Sequence, residues 1–522
     1  MNSLLHAIAR CRMRESGARR DTGGFVILKD IIHQARLIAI VFVVALGAGW
    51  HTPASATPPP GFATLPKAQQ VAINDLEKRT FEFFRDSANL ANGQVPDHWP
   101  RDKGDYFSSI AADGFGLTAY GIGVERGWMT RAEAVKRTLA TLNFFHDAPQ
   151  GNAASVTGFH GFFYHFLDMQ SGRRYRSRHW VELSTIDTTL LLGGVLFCQS
   201  YYDHNTADEK KIRKLADDLY RNVDWQWASP RPPLVAMGWT PESGFIHVDW
   251  QGYNEAMLLY VLALGSPTHP IDKSAWKVWS QTYDETWGSF QGQEHLGFAP
   301  LFGHQFSHVW IDFRGIRDDY MRKRDLDYFE NSRRATYSQR EYAIHNPLKW
   351  DGYSADIWGL TACNGPRAPT RPGEPDRYAS DPKTFYGYIA RGAGLRGTID
   401  DGTIAPTAAA SSIAFAPEIV IPTIQAMQRR YGDALYTKYG FVDAFNPSFT
   451  FTDRPLRSGH VIAGKGWFDT LYLGIDQGPI LAMIENYRSE FVWKVMRKNP
   501  YVRNGLERAG FSGGWLDKPQ AK

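Results

Sequence analysis

The sequence predicts an all-α protein, a toroid in which an inner ring of helices is wrapped by an outer ring. Two observations predict it. Helical periodicity dominates the chain and strand-like alternation is sparse. Segments apolar on one stripe also alternate with segments apolar on nearly every side. A striped helix is peripheral, whereas one apolar all round is buried.

The striped segments are "QQVAINDLEKRTFEFFRDSA", "TRAEAVKRTLATLNFFHDA", "DEKKIRKLADDLYRNVDW" and "DLDYFENSRRATYSQREYAI". The second opens with Thr130 and Glu133, a capping box that ties down free N–H groups of the first turn. The buried set is "SIAADGFGLTAYGIGV", "STIDTTLLLGGVLFCQSYY", "GYNEAMLLYVLALG", "FGHQFSHVWIDFRG", "YSADIWGLTACNG" and "IDQGPILAMIENY". These are the expected inner staves. The Gly/Pro-rich stretch 365–396 and "DDGTIAPTAAASS" after it read as long loops over the active-site end, and long loops in compact domains tend to be functional.

The first 56 residues read as a leader. Residues 1–36 carry seven basic groups against three acidic ones. The uncharged run "LIAIVFVVALGAGW" follows, then a small-x-small site at Ala54-Ser55-Ala56. This is the pattern of a secretory signal; a retained membrane anchor is its competitor. The run is short for a spanning helix, which needs roughly 20 residues. Residues 57–522 show no internal linker and read as one domain, expected to be a periplasmic or secreted monomer. The leader holds the whole net charge of +4, so the remainder is neutral. That argues against nucleic acid as a partner. Cys198 and Cys363 fall in apolar segments, read either as one disulfide or as two buried thiols. The 17 Trp and 24 Tyr fit a large aromatic core or a cleft lined with flat faces for sugar rings.

Carboxylates stand near the starts of several inner segments: Asp187 in "STIDT", Glu255 in "YNEAM", Asp356 and Asp476. Acids at helix starts are ordinary, and Asp187 fits as the acidic partner of a Ser184 capping box. Glu255 is harder to excuse, because it faces Trp250, Tyr253 and Asn254 at the mouth of an apolar helix. Hydrolysis of a glycosidic bond needs two carboxyl groups, one protonated and one ionised. Apolar surroundings raise the pKa of the acid, while a helix N-terminus lowers it. Glu242 in "GWTPESGF" and Glu341 in "SQREYAI" are further candidates, each also readable as a solvated surface acid. His304, His308 and Asp312 share one helical face at spacings of four. His-x3-His resembles a zinc pair, but Gln305 stands where the H-E-x-x-H motif has its glutamate. Sugar binding and satisfied core histidines are the other readings. No P-loop, nucleophile elbow or dinucleotide-binding loop occurs.

Several of these segments, with "GFFYHFLDM", "GYNEAMLLYVLALGSPTHP", "DYFENSRRATYSQR", "DDGTIAPTAAASS" and "GIDQGPILAMIENYRS", resemble the glycoamylase-like domain. That group includes the bacterial endo-β-1,2-glucanases of glycoside hydrolase family 144. It also includes the transglycosylating domain of cyclic β-1,2-glucan synthases. The resemblance implies an (α/α)6 toroid and inverting cleavage of β-1,2-glucan without cofactor or metal. It implies Glu255 as proton donor, Asp187 as a pocket aspartate and Glu341 as the base of the transglycosylases. Glu242, Trp250, Tyr253, Asn254, His304, His308, Trp310, Asp312, Arg314, Trp358 and Asp401 are then substrate-binding candidates. A β-1,2-glucan transglycosylase, a sophorose-releasing exo-enzyme and a non-catalytic glucan-binding protein are the alternatives. A toroidal lyase is disfavoured by the neutral mature chain.

Overall fold

The computed structural model describes residues 61–100, 106–175, 181–368 and 383–517. The expected leader lies outside them. Among the described residues, no helix is long and apolar enough to cross a membrane.

The chain forms helices α1 (Lys67–Ser87), α2 (Ile110–Glu125), α3 (Arg131–His146), α4 (Thr185–Tyr201) and α5 (Ala207–Arg221). Then come α6 (Met257–Gly265), α7 (Ala275–Trp279), α8 (Phe302–Trp310), α9 (Asp319–Lys323) and α10 (Tyr328–His345). The last are α11 (Pro406–Ala410), α12 (Pro417–Tyr431), α13 (Gly474–Ser489), α14 (Phe491–Met496) and α15 (Pro500–Arg508). Strands of two to four residues form small antiparallel pairings in the connections, several leading directly into a helix.

Six helices close the inner ring. α2 packs on α4, α4 on α6, α6 on α8, α11 on α13, and α13 back on α2. Gln305 of α8 closes the remaining gap, its side-chain amide donating to the Ala408 carbonyl and Ser412 Oγ beside α11 at 2.8 Å. Glycine sets the tightest crossing: a Cβ on Gly194 of α4 would meet the Gly114 carbonyl oxygen of α2 at 2.0 Å.

The outer ring is α1 against α13 and α2, α3 against α2, α5 against α4, α10 against α8, and α12 against α11. Behind α6 the local helix α7 is only one turn, and the chain's last helix, α15, fills that place. Gly505 makes this possible, since a Cβ there would meet the Val261 carbonyl oxygen at 1.9 Å. α14 crosses the floor of the ring, touching α2, α4, α8 and α13.

The expected toroid is therefore present, with corrections to its staves. Five of the six expected inner segments hold inner helices. The sixth, around Trp358, is loop and short strand, its indole N–H donating to Thr423 Oγ1 at 2.8 Å in the core. The sixth stave is α11, from the "APTAAASS" stretch expected to be loop. It is small-residue helix with Pro406 at its start, so it lacks the bulky apolar pattern that marks the others. α8 ends at Trp310, so Asp312 lies beyond the helix rather than on a shared face with the two histidines. Cys198 and Cys363 are buried free thiols, not a disulfide. Thr130 and Ser184 both cap as expected, accepting from the backbone N–H of Glu133 and Asp187.

Candidate active site

Glu255 stands two residues before α6, rather than in its first turn. The segment ahead of it is pinned from both sides. The Trp250 indole donates to Thr185 Oγ1 at the start of α4, at 3.0 Å. Ser307 of α8 donates to the Glu255 carbonyl at 2.8 Å and accepts from Leu258 N–H at 3.0 Å. Asn254 accepts from Ala256 N–H at 2.9 Å. Tyr253 stacks on Tyr328 and bonds to His304 Nδ1 at 3.0 Å. These contacts leave the Glu255 carboxyl buried, with Oε2 lacking a hydrogen-bond partner among the described residues. Burial pushes its pKa up to about 8, opposed by its own backbone N–H and helped by the charge of nearby Asp187. Outside the first turn, the carboxyl is spared part of the helix-end field that would favour its anion.

Asp187 lies in the first turn of α4. Ser184 Oγ donates to its Oδ2 at 2.5 Å, and His165 Nε2 stands 3.5 Å from the same oxygen. His165 Nδ1 meets Glu182 Oε1 at 2.9 Å. Burial pushes Asp187 up, while His165 and Ser184 pull it back. The His165, Glu182 and Asp187 ligand-type atoms lie within 4.8 Å of one another, already engaged with each other.

A second carboxyl group set stands at the mouth of α13. In the ring order α2, α4, α6, α8, α11, α13, this helix is three places from α6, so Glu255 and Asp476 stand at the starts of opposite staves. Burial pushes Asp476 up to about 7, and burial with the nearby charges of Asp476 and Asp469 raises Asp443 well above the usual carboxylate range. Asp443 Oδ2 accepts from Asn364 N–H at 2.7 Å, and Asn364 Nδ2 donates to Asp469 at 3.0 Å. Asp443 Oδ1 and Asp476 Oδ2 are buried without partners among the described residues. Asp97 acts electrostatically on both sets, on His165 and Asp187 and on Asp476.

The other candidates sort differently. Asp401 forms a fully buried ion pair with Arg391 at 2.7 Å, fixing the loop beside this second set. His304 is held between Tyr253 and the Phe298 backbone, and His308 bonds to Ser332. Burial pushes both down, His308 to about 3, so both are neutral histidines buried in the core. Trp310 stacks on Phe115 and donates to Thr118 Oγ1 inside the ring. Asp312 and Arg314 pair with each other, Arg497 and Glu490 at the floor, the wrong end for this site. Trp358 is core. Glu242 is half exposed and paired with Arg174 at 2.7 Å. Glu341 lies on outer helix α10, paired with Arg340 at 3.0 Å, and no bond joins it to Glu255 or Asp187 among the described residues.

Asp97, His165, Glu182, Asp443 and Asp469 had no sequence-level assignment. They sit in connections without periodicity, although "VELST" and "WFDTLYLGID" place polar residues directly ahead of inner staves.

A family model, Glycoamylase ("Putative glucoamylase"), matches residues 247–500. The exo β-1,2-glucooligosaccharide sophorohydrolase of Parabacteroides distasonis is 27% identical over 475 residues, 85% of this chain. The chain spans 58% of that relative's length. A "putative glucoamylase" from Bacteroides uniformis superimposes with TM-score 0.73 at 29% identity, covering 87% of this chain and all of that one. An endo-β-1,2-glucanase from Chitinophaga pinensis, complexed with sophorotriose and glucose, gives TM-score 0.71 at 26% identity, over 86% and 99% of the two chains. The segment holding Glu255, α8, α11, Asp443 and Asp476 is thus the part that resembles the Glycoamylase family model, and it is set in a toroid similar to that of the Chitinophaga endo-β-1,2-glucanase.

Proposed function

We propose that the protein is a glycoside hydrolase that cleaves β-1,2-glucan by acid–base catalysis, with Glu255 as proton donor. One observation carries the reading. Glu255 is a carboxyl kept protonated near neutral pH by burial, with one oxygen unpartnered among the described residues, at the opening of the helix ring. In this mechanism Glu255 gives its proton to the glycosidic oxygen as the bond to the anomeric carbon breaks. A water attacks that carbon from the opposite face and gives its proton to a carboxylate, so the anomer inverts. The Asp443–Asp476 pair is the candidate for that carboxylate, because each is a buried carboxyl group at the mouth of the ring with an unpartnered oxygen among the described residues. This replaces Glu341 in the role of base.

The names of the Parabacteroides and Chitinophaga relatives support the substrate class. The first also favours a second reading, release of sophorose from a chain end. Incubation with linear β-1,2-glucan, cyclic β-1,2-glucan and starch, followed by chromatography, tests all three. Short β-1,2-oligosaccharides of mixed length support endo cleavage, sophorose alone supports the exo reading, and longer or cyclised products support transglycosylation. If all three polymers stay intact, the hydrolase reading is lost. The leader is proposed to direct the protein to the periplasm or outside the cell, which fractionation of expressing cells checks.

A further inference from the structure

His165 is held between two carboxyl groups. Its backbone N–H donates to the Glu182 carbonyl at 2.9 Å, so the strand-like segment carrying it runs beside the residues that lead into α4. Its ring stacks on Phe166 with centroids 3.8 Å apart. In that pose Nδ1 is 2.9 Å from Glu182 Oε1, and Nε2 is 3.5 Å from Asp187 Oδ2. Carboxylates accept hydrogen bonds, and only the imidazolium has an N–H at both nitrogens.

We infer that His165 is a positioning residue: as an imidazolium fixed between Glu182 and Asp187, it keeps Asp187 an anion beside Glu255 and leaves the proton on Glu255. The inference rests on Glu255 being the acid. Two carboxyl groups in one buried site cannot both be charged cheaply, and the one touching a cation takes the charge. Burial opposes the imidazolium, but Asp187, Glu182 and Asp97 outweigh it and push His165 up to about 9. The other groups nearby do not cancel this. Asp97 stands beside His98, whose ring packs on Phe107, and Arg174 is turned to the Val181 carbonyl and Glu242.

The first test needs no substrate. Histidine-15N NMR of the full chain, with His165→Gln to assign the signal, should show this ring doubly protonated until about pH 9. Titration near the ordinary value of ~6.5 overturns the inference whatever the protein cleaves. The second test is the pH profile of kcat/KM. In His165→Gln the acid limb should rise by about 1–3 pH units, as Asp187 loses its cation, with KM little changed. Glu182→Gln should move it the same way by less, and it carries the test if His165→Gln does not fold. Folded variants with an unmoved acid limb overturn the inference.

Discussion

The two ends of the helix ring handle buried charge in opposite ways. At the floor, Asp312 is paired with Arg314 and Arg497, and Glu77 of α1 meets Arg488 at 2.5 Å. At the mouth, Glu255, Asp443 and Asp476 are buried with unpartnered oxygens and no arginine bonded to them among the described residues. The mouth's fully buried arginine, Arg391, is committed to Asp401. An unpaired buried carboxyl costs stability, because burial disfavours its charged form and forces it to hold a proton. The floor spends its carboxyl groups on holding helices together. The mouth keeps these three without a cation bonded to them, where burial raises them toward the protonated state that a general acid needs. Burial raises Glu77 at the floor as well, beside Glu485, so the difference is not raised ionisation itself but the arginines that stand against the floor's carboxyl groups and not against these three at the mouth.

The comparison can be broken by substitution. The largest stability effect is expected where a mouth residue behaves like the floor. Asp401→Asn leaves Arg391 unpaired in the interior and should cost about 3–5 kcal/mol in denaturant unfolding. Asp312→Asn, at the floor, should cost about 2 kcal/mol, since its arginine partners are partly exposed and regain water, while kcat is unchanged. Glu341→Gln should be smallest. It removes a half-exposed ion pair on an outer helix and should alter kcat by about twofold or less, equivalent to ~0.5 kcal/mol. A large loss of kcat in Glu341→Gln would return that residue to the role of base.

The mouth also predicts how activity and stability follow pH. Glu255 must be protonated to donate, so kcat/KM should fall as pH rises through about 8. The stability sign runs the same way. The unfolded chain loses this proton near the ordinary ~4.3 of a glutamate, while the folded chain keeps it to about 8. Between those values the native state binds more protons, so Glu255 makes stability decline with rising pH. Glu255→Gln should remove that decline, becoming relatively more stable than the parent from about pH 5 to about pH 8. Melting curves across that window check it.

Much of this was legible in the sequence, and the rest was hidden for identifiable reasons. Five inner staves carry all-round apolar patterns that only burial explains, and Glu255 drew notice because it stands before one of them. α11 was hidden because alanine, serine and threonine give no strong periodicity. The Trp358 segment misled because an aromatic anchored in a loop has the composition of a stave. His304, His308 and Trp310 looked functional by spacing, but their hydrogen bonds end inside the core. Asp443 and Asp476 are 33 positions apart, and no local pattern says that their carboxyl groups act on each other. His165 and Glu182 are likewise joined by strand pairing rather than spacing.

The measurement that tests the account most directly compares wild type with Glu255→Gln on linear β-1,2-glucan, with urea unfolding of both at pH 7.5. The account predicts a loss of kcat of about 10²–10⁴-fold together with equal or higher stability, because an unpartnered buried carboxyl has been replaced by a neutral amide. Retained activity would contradict it, as would a loss of activity matched by a loss of stability like that expected for Asp401→Asn.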